Sequence, residues 1–415
     1  MAGAIGNALD WYDFAVYGYF APIFASQFFP SSNYLTSLVA AFGVFAVGFL
    51  MRPLGGVLIG HVGDIYGRRP ALILSIVLMA VPTTMIAFLP TFASVGILAP
   101  ILLTLMRALQ GLAASGEYGV STVFLFERAR PGRRAFDTAW TMIGSWVGIL
   151  LGSATGAAMS LLLSDSELFA WGWRVPFLGG VVLGLAGWYV RRQVQDDPQQ
   201  ARLEAGRLPV VEACRAYWPD MLRVTAMTAW WATSYWLLLV YMTTYLVEFE
   251  HIERTLAFEI NTANMAILIV VAPFGALLSD KVGRKRVLLA ASGAGLVLGL
   301  PLFWLMHHPD PFLIWLGQFL FALLLGTYMG GQPAAMAELF PRHVRVSAVS
   351  FSYNLGIGLF GGLAPVLVTF LIKETSNDFV PGYVVVAGAA ITFFGLLGLR
   401  QADREPSPSR VRDGV

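Results

Sequence analysis

Long apolar segments alternate with short polar ones along the whole chain. The apolar runs between charged or Pro/Gly breaks predict twelve helices, near residues 4–28, 35–60, 70–90, 95–126, 136–163, 172–191, 222–247, 256–279, 286–306, 311–338, 344–372 and 381–400. An α-helix needs about 20 residues to cross the hydrocarbon core of a bilayer, and most of these runs reach that length. The pattern therefore predicts an all-α integral membrane protein with twelve transmembrane helices.

A polar stretch near residues 192–220 divides the predicted helices into six and six. It carries most of the charge in the middle of the chain, which is typical of a solvated linker. We therefore predict an N-terminal six-helix bundle at 1–191, a cytoplasmic linker at 192–220, a C-terminal six-helix bundle at 221–400 and a cytoplasmic tail at 401–415.

One short cationic phrase occurs in both halves. Asp64 is followed three residues later by Gly67 and then by two arginines, and Asp280 is followed in the same way by Gly283, Arg284 and a lysine. Each copy joins two long apolar runs. A repeat with a period of about half the chain indicates two pseudo-symmetric bundles with a binding site between them.

Composition supports the membrane assignment and excludes several classes of function. Hydrophobic residues make up 57% of the chain, charged residues 13%, and the mean hydropathy is +0.68. A soluble protein carries about 25% charged residues. The net charge of +2, without basic runs interleaved with aromatics, argues against nucleic acid as a partner. Because Cys214 is the single cysteine, neither an internal disulfide nor a cysteine metal cluster is expected, and no cofactor is predicted.

The distribution of Lys and Arg predicts the orientation in the membrane. The loops at 61–69, 127–135, 192–220 and 280–286 hold most of these cations, whereas the alternate loops hold almost none. Short cation-rich loops stay on the cytoplasmic side. We therefore expect a multi-pass protein of the inner (plasma) membrane with both termini in the cytoplasm. Asp10 and Asp13 lie inside the first apolar run, which argues for a retained helix over a cleaved signal.

Several motifs carry a family resemblance. They are the doubled cationic phrase, Gly6-Asn7-Ala8-Leu9-Asp10-Trp11-Tyr12-Asp13-Phe14, Phe49-Leu50-Met51-Arg52-Pro53-Leu54-Gly55-Gly56, Arg107-x-x-Gln110-Gly111 with Gly116-Glu117, Trp171-Gly172-Trp173-Arg174-Val175-Pro176-Phe177, and Glu338-Leu339-Phe340-Pro341-x-x-Val344-Arg345. With these motifs the chain resembles the major facilitator superfamily, and within it the metabolite:proton symporter branch. The resemblance implies the major facilitator fold and transport by alternating access. Asp10 stands where the branch usually has Glu, and the segment that normally precedes this motif is nearly absent.

Ionisable side chains inside membrane helices cost about 2.5–3.5 kcal/mol each on insertion scales, so each needs an explanation. We hypothesise that Asp13 and Arg107 form a buried pair that a proton switches, which frees the guanidinium for an anionic substrate. The alternative is a static ion pair that holds two helices together. Asp10 is either a second coupling residue or an interfacial one. Glu117 is either a proton site or a gate residue, and Arg52 is either a substrate ligand or a snorkelling cation.

Uncharged polar residues stand out in the apolar helices of the C-terminal half. Tyr235, Tyr241, Asn261, Gln332 and Asn354 are candidates for substrate binding. Hydrogen bonding between helices is the alternative for each of them.

The doubled phrase is also a candidate cytoplasmic gate. Its members are Asp64, Arg68, Arg69, Asp280 and Arg284. An Asp near a helix end can cap exposed amides or pair with the nearby cations, which would latch adjacent helices. A charged turn that only sets topology is the alternative.

These observations predict a transporter. Motifs for metalloprotease, nucleotide-phosphate or hydrolase chemistry are missing from the sequence, so the energy source is an ion gradient or the substrate's own gradient. The fifth helix has glycines at 144, 148, 152 and 156 but lacks the Pro and paired Gly of the drug-antiporter pattern, which favours uptake over export.

Two arginines in the N-terminal half favour a carboxylate-bearing substrate. We predict a monomeric proton symporter, surrounded by lipid, for a small organic acid or zwitterion. Osmoprotectant uptake of the betaine or proline type is an alternative, although the short tail after Leu399 lacks the coiled coil of osmosensing members. A non-transporting membrane sensor on the same fold is a further alternative.

Overall fold

The computed structural model describes residues 2–66, 68–191 and 209–399. We number its main helices α1 to α12, and the segments of a broken helix share one number. The first half contains α1 (Ala2–Tyr19 and Ala21–Phe28), α2 (Tyr34–Leu50 and Arg52–Tyr66), α3 (Arg68–Phe88), α4 (Leu98–Ala113 and Glu117–Glu127), α5 (Arg134–Leu162) and α6 (Val175–Arg191).

The second half contains the other six helices. They are α7 (Trp218–Trp236, Leu237–Tyr241 and Met242–Glu248), α8 (Arg254–Val282), α9 (Arg284–Met306), α10 (Pro311–Glu338), α11 (Arg342–Gly356, Ile357–Gly362 and Leu363–Thr375) and α12 (Val380–Leu397). The middle segments of α7 and α11 are π-helical turns. No β-strand occurs in the ranges that the structure describes.

Each of the twelve predicted spans corresponds to one of these helices. Within the described residues, eight helical stretches are long and apolar enough by themselves to cross a membrane, and they belong to α2, α4, α5 and α8 to α12. A shorter apolar stretch, Ile73–Phe88, belongs to α3. The remaining spans, α1, α6 and α7, are helical as predicted but shorter, interrupted or richer in polar and aromatic residues.

The sequence predicted continuous helices where the structure has breaks. In α2 the break at Met51 precedes Pro53, which cannot donate a backbone hydrogen bond. In α4 the chain leaves the helix at Ala114 and re-enters it at Glu117. A break inside a membrane helix frees carbonyl groups that need other partners, and such breaks are tolerated where protein surrounds them.

The short helices between the main ones lie in polar loops. In the α5–α6 loop, Ser164 caps the helix Asp165–Ala170, and the Glu167 carboxylate accepts a hydrogen bond from the Ser164 backbone amide. Hydrogen bonds from Ser164 hold the pKa of the Glu167 carboxyl below its ordinary value. This reciprocal capping box fixes the polar turn at one end of the bundle.

The described part of the predicted linker is helical. Pro209–Ala216 forms a helix that packs against the first segment of α11, and α7 begins at Trp218. Residues 192–208 and the predicted tail at 401–415 lie outside the described residues.

The two halves pack against each other along their length. Helices α1, α2, α4 and α5 of the first half meet α7, α8, α10 and α11 of the second. Gly156 in α5 serves this packing, because a methyl group there would lie 2.4 Å from the ring of Phe258 on α8. Small residues let membrane helices approach this closely.

The contact between α2 and α4 is closer still. A Cβ added at Gly111 would lie 2.0 Å from the backbone oxygen of Gly48, and one added at Gly55 would lie 2.1 Å from that of Leu112. The crossing therefore leaves no space for any side chain. It fixes the depth of the charged residue Arg107, which lies one turn before Gly111.

We expect Gly111→Ala to destabilise the protein by about 1–3 kcal/mol, because the backbone oxygen of Gly48 cannot move away from the added methyl group. Gly43→Ala is the matched control, since a Cβ at Gly43 meets nothing within 4 Å. Thermal unfolding of the two purified variants in detergent checks this. Equal unfolding temperatures would contradict the close crossing.

Candidate functional site

A buried ion pair connects α1 and α4. Arg107 Nη1 lies 2.6 Å from Asp13 Oδ2, with the side chains 0% and 2% exposed. The sequence predicted this partnership from the cost of placing charge in a membrane helix. The structure places the two residues together, while the role of the pair as a proton switch stays a prediction.

Two uncharged residues complete the network around the pair. Gln110 Nε2 donates to Asp13 Oδ1 at 2.9 Å, and its Oε1 accepts from Arg107 Nη1 at 2.7 Å. Thr83, on α3, also lies 2.9 Å from Asp13 Oδ1. The carboxylate is therefore surrounded by three donors, which stabilises a buried charge.

Sequence reasoning missed Thr83 and gave Gln110 no individual role. The sequence does indicate a role for Gln110 beside Arg107, because a residue three positions later lies on the same face of a helix. The only sequence indication for Thr83 is its position beside Pro82 in a mostly apolar helix. Nothing in a single sequence aligns α3 with α1.

The rest of the Arg107 guanidinium faces aromatic rings. Its carbon lies 4.5 Å from the ring centres of Phe14 and Tyr17. The atoms Nε and Nη2 are buried and have no hydrogen-bond partner among the described residues. A buried donor without a partner costs about 1–3 kcal/mol, and more when it is charged. Arg107 thus retains donor capacity for another anionic group.

Arg52 is a second buried cation near Phe14. Its guanidinium carbon is 5.4 Å from the Phe14 ring centre and 5.2 Å from that of Trp11, and Nη2 donates to Ala114 O at 3.0 Å. That carbonyl belongs to the break in α4. The break thereby supplies a hydrogen-bond acceptor to a buried cation, and Arg52 is 1% exposed rather than snorkelling to an interface.

A continuous set of aromatic rings spans the two halves. Its members pack ring to ring and are almost fully buried. We call them the central aromatic cluster: Trp11, Phe14, Phe45 and Phe49 from the first half, and Trp231, Tyr235, Trp236 and Tyr353 from the second.

Trp236 is the centre of this cluster. It stacks on Trp11 with ring centres 6.0 Å apart and meets the edges or faces of Phe45 and Phe49 at 5.0 Å. Trp236 precedes the π-helical turn of α7, and the π-helical turn of α11 packs on it through Gly361. Such turns are frequent at functional sites.

Several polar atoms of the central aromatic cluster can still form hydrogen bonds with a ligand. The Tyr235 and Tyr353 hydroxyls and Trp236 Nε1 are buried and have no hydrogen-bond partner among the described residues. Asn354, one residue after Tyr353, donates to Ser115 O at 2.7 Å, in the break of α4. Aromatic faces, unbonded donors and a buried cation thus meet where the halves join.

Polar contacts join the two halves at the end of the bundle where α7 ends at Glu248, which we call the Glu248 end. Asn261 Nδ2 donates to the Tyr19 hydroxyl at 2.9 Å, and that hydroxyl donates to Leu239 O at 3.0 Å. Further out, Arg254 Nε lies 3.3 Å from Asp165 Oδ1 across the halves.

At the opposite end, which we call the Asp280 end, a carboxylate of one half caps a helix of the other. The Ala135 and Phe136 amides donate to the two Asp280 oxygens at 2.9 and 3.0 Å. These amides lie in the first turn of α5, where the positive end of the helix dipole attracts an anion. Arg284 lies 3.4 Å from Asp280 and 2.7 Å from Glu338.

A second contact joins the halves at the Asp280 end. Arg345 Nη1, on α11, lies 2.7 Å from Glu127 Oε1 at the end of α4. Contacts therefore join the halves at both ends of the bundle.

The predicted C-terminal residues do not form a single group. Tyr235 belongs to the cluster, and Asn354 and Asn261 bond to the first half on either side of it. Tyr241 accepts from Thr369 within the second half, and Gln332 Nε2 lies 3.3 Å from Met227 O, also within that half. For Gln332, helix–helix hydrogen bonding describes the observed contact, whereas the Tyr241 ring also lies 5.2 Å from the ring of Phe42 in the first half.

The side chains of five predicted site residues lie outside what the structure describes. These residues belong to helices α1 to α4 and are Asp10, Asp64, Arg68, Arg69 and Glu117.

Comparison of sequences identifies relatives of the chain. Residues 3–260 and 251–414 match the Major Facilitator Superfamily. The chain is 33% identical over 418 residues to the glycine betaine/proline/ectoine/pipecolic acid transporter OusA of Dickeya dadantii, and 32% identical to the proline/betaine transporter of Escherichia coli (strain K12). Each alignment covers 98% of this chain and 83% of the relative.

Comparison of structures supports the fold. A D-xylose-proton symporter superposes with a TM-score of 0.75 at 16% identity, covering 97% of this chain and 98% of that one. A partially occluded inward open form of the xylose transporter XylE from E. coli gives a TM-score of 0.76 at 15% identity, covering 97% of each chain. At this identity the similarity is one of fold.

We expect Asp280→Ala to favour separation of the halves at the Asp280 end, because the α5 amides lose their cap. Loss of a capping side chain costs about 0.5–2 kcal/mol, which corresponds to a population shift of roughly 2- to 30-fold. Distances between spin labels at Arg128→Cys and Arg342→Cys, in a Cys214→Ser background, measure the separation.

Asp310→Ala is the control for this variant, since Asp310 caps α10 within its own half. It should leave the label distances unchanged. Identical distance distributions in the Asp280→Ala variant and the parent would contradict a latch.

Proposed function

The chain belongs to the major facilitator superfamily, and from this premise we propose that it is a proton-coupled symporter that imports a small zwitterion of the proline or glycine betaine type. The observation that carries the proposal is the buried Arg107, which keeps two unbonded donor atoms and touches the central aromatic cluster through Phe14. A guanidinium binds a carboxylate, and aromatic faces attract a quaternary or secondary ammonium group.

The substrate class follows from both charges of such a molecule. An organic acid, one of the two substrate classes that the sequence predicted, would use the arginines but would gain nothing from eight buried aromatic rings at the same place. A zwitterion uses the arginines through its carboxylate and the aromatic rings through its ammonium group. The named relatives, a betaine/proline/ectoine/pipecolic acid transporter and a proline/betaine transporter, support the same alternative.

Proton coupling is proposed at Asp13. While Asp13 is ionised, it holds Arg107 Nη1 at 2.6 Å and competes with a substrate carboxylate for the guanidinium. A proton on Asp13 removes that competition, so the proton and the substrate favour each other's binding. Such reciprocity is what thermodynamic linkage between two sites requires.

Alternating access is proposed to use the contacts at the two ends as gates. The loops at the Asp280 end carry Arg128, Arg130, Arg133, Lys281 and Lys285. We therefore assign this end to the cytoplasm, with both termini on the same side and the chain in a bacterial inner membrane. Release inward requires Asp280 to leave the α5 amides and Arg345 to leave Glu127.

We expect proteoliposomes with an imposed inward proton gradient to accumulate proline or glycine betaine. The discriminating probe is tert-butylacetate, which has the shape and carboxylate of glycine betaine but lacks its positive charge. Because cation–π contacts contribute about 0.5–2 kcal/mol, betaine should compete for uptake roughly 2- to 30-fold better than this carbon analogue. Equal competition would favour an organic acid, and no accumulation of any of these compounds would favour a sensor.

We expect Trp236→Leu to abolish the preference for betaine over tert-butylacetate, whereas Trp236→Phe should retain most of it. Trp230→Leu is the matched control, because Trp230 lies on the same helix and is equally buried but packs within the second half against Tyr328. Binding constants measured by calorimetry, with unfolding temperatures recorded alongside, check this. Loss of the preference in both Leu variants would contradict a direct role of Trp236.

A further inference from the structure

The Thr83 hydroxyl lies within hydrogen-bonding distance of three groups. It is 2.9 Å from Asp13 Oδ1, 2.7 Å from the backbone oxygen of Met79 and 2.8 Å from Gln110 Nε2. The Gln110 amide donates to it. Asp13 and Met79 are both acceptors, but a hydroxyl has one hydrogen. The Thr83 hydrogen therefore has two alternative positions, and Thr83 is 3% exposed, away from water.

The other groups around the carboxylate are donors only. Arg107 has no acceptor atom, and Gln110 presents its nitrogen to Asp13 because its oxygen accepts from Arg107. Among the described residues that bond to Asp13, Thr83 is thus the one that can accept a hydrogen bond as well as donate one.

Protonation of Asp13 changes the kind of hydrogen-bond partner that its carboxyl group requires. The ionised form accepts from three donors, whereas the protonated form carries a hydrogen that requires an acceptor. We propose that Thr83 is a positioning residue for proton coupling: its oxygen accepts the acid hydrogen of Asp13 while its own hydrogen turns to the Met79 carbonyl. The proton stays on Asp13 throughout, and no covalent bond to Thr83 changes. This inference rests on the proposed coupling at Asp13.

The charged surroundings do not offer a substitute acceptor. Arg107 contacts the carboxylate, Arg52 lies 5.4 Å from the Phe14 ring centre, and both are cations. The Tyr12 phenol is within electrostatic range of Asp13, but it donates to the backbone oxygen of Pro176 on α6. An Asp13 acid without Thr83 would hold a buried hydrogen without an acceptor, which is unfavourable.

A purely structural role for Thr83 is the competing explanation, because threonines in helices often bond to the carbonyl four residues earlier. Thr84, the next residue on α3, makes that bond to Ala80 O at 2.8 Å. It provides a matched control on the same helix.

Infrared difference spectroscopy on the purified full chain during a pH titration tests the inference without any transported substrate. The carboxylic acid C=O band that Asp13→Asn removes belongs to Asp13. In Thr83→Val this band should move to higher frequency, because the acid loses its acceptor, and Thr83→Ser should restore it. An unchanged band in Thr83→Val, or an equal shift in Thr84→Val, would overturn the inference. If the parent protein shows no band of protonated Asp13, both the inference about Thr83 and the proposed coupling at Asp13 are wrong.

Transport provides a second readout. In proteoliposomes, Thr83→Val should lose about tenfold or more of its proton-driven accumulation of proline or betaine while keeping exchange of the same compound across the membrane. Thr83→Ser should recover accumulation. Equal loss of accumulation and exchange would show a structural role and overturn the inference. If the parent protein accumulates neither compound, the proposed substrate fails, and the infrared result still decides the role of Thr83.

Discussion

The structure depends on the burial of the Asp13–Arg107 ion pair inside a membrane bundle. Two charges without water are unfavourable unless their geometry and hydrogen bonds compensate, and removing one partner leaves the other stranded. Three helices meet this requirement together: α1 supplies Asp13, α4 supplies Arg107 and Gln110, and α3 supplies Thr83. The glycine crossing of α2 on α4 holds Arg107 at the depth where these partners meet.

The two halves contribute different chemistry to one interface. Among the described residues the first half holds the buried charges and four rings of the central aromatic cluster, whereas the second supplies the other four rings and the helices with π-helical turns. The break in α4 connects them, because the carbonyls freed at Ala114 and Ser115 accept from Arg52 of the first half and Asn354 of the second. An irregular helix thus serves as a shared acceptor where an intact helix would offer none. The two halves share one fold but contribute different residues to the proposed site.

The sequence predicted the helices well, because each span must be apolar over its length, and it predicted the pairing of Asp13 with Arg107 because lipid penalises isolated charge. It did not predict the break in α4, where no proline interrupts the apolar pattern. Nor could it show that Asp280 caps α5 of the other half or that Thr83 faces Asp13, since these contacts depend on how distant helices align. Gln332 was selected for its polarity, but its observed bond lies within the second half.

The most direct test of the central claim is the number of protons that the protein takes up when it binds substrate. Binding enthalpies of glycine betaine, measured at one pH in buffers of different ionisation enthalpy, give that number. Proton–substrate linkage at Asp13 predicts net proton uptake by the parent protein and none by the Asp13→Asn variant, which should still bind betaine. Binding of betaine without proton uptake in the parent, or the same uptake in both proteins, would contradict it.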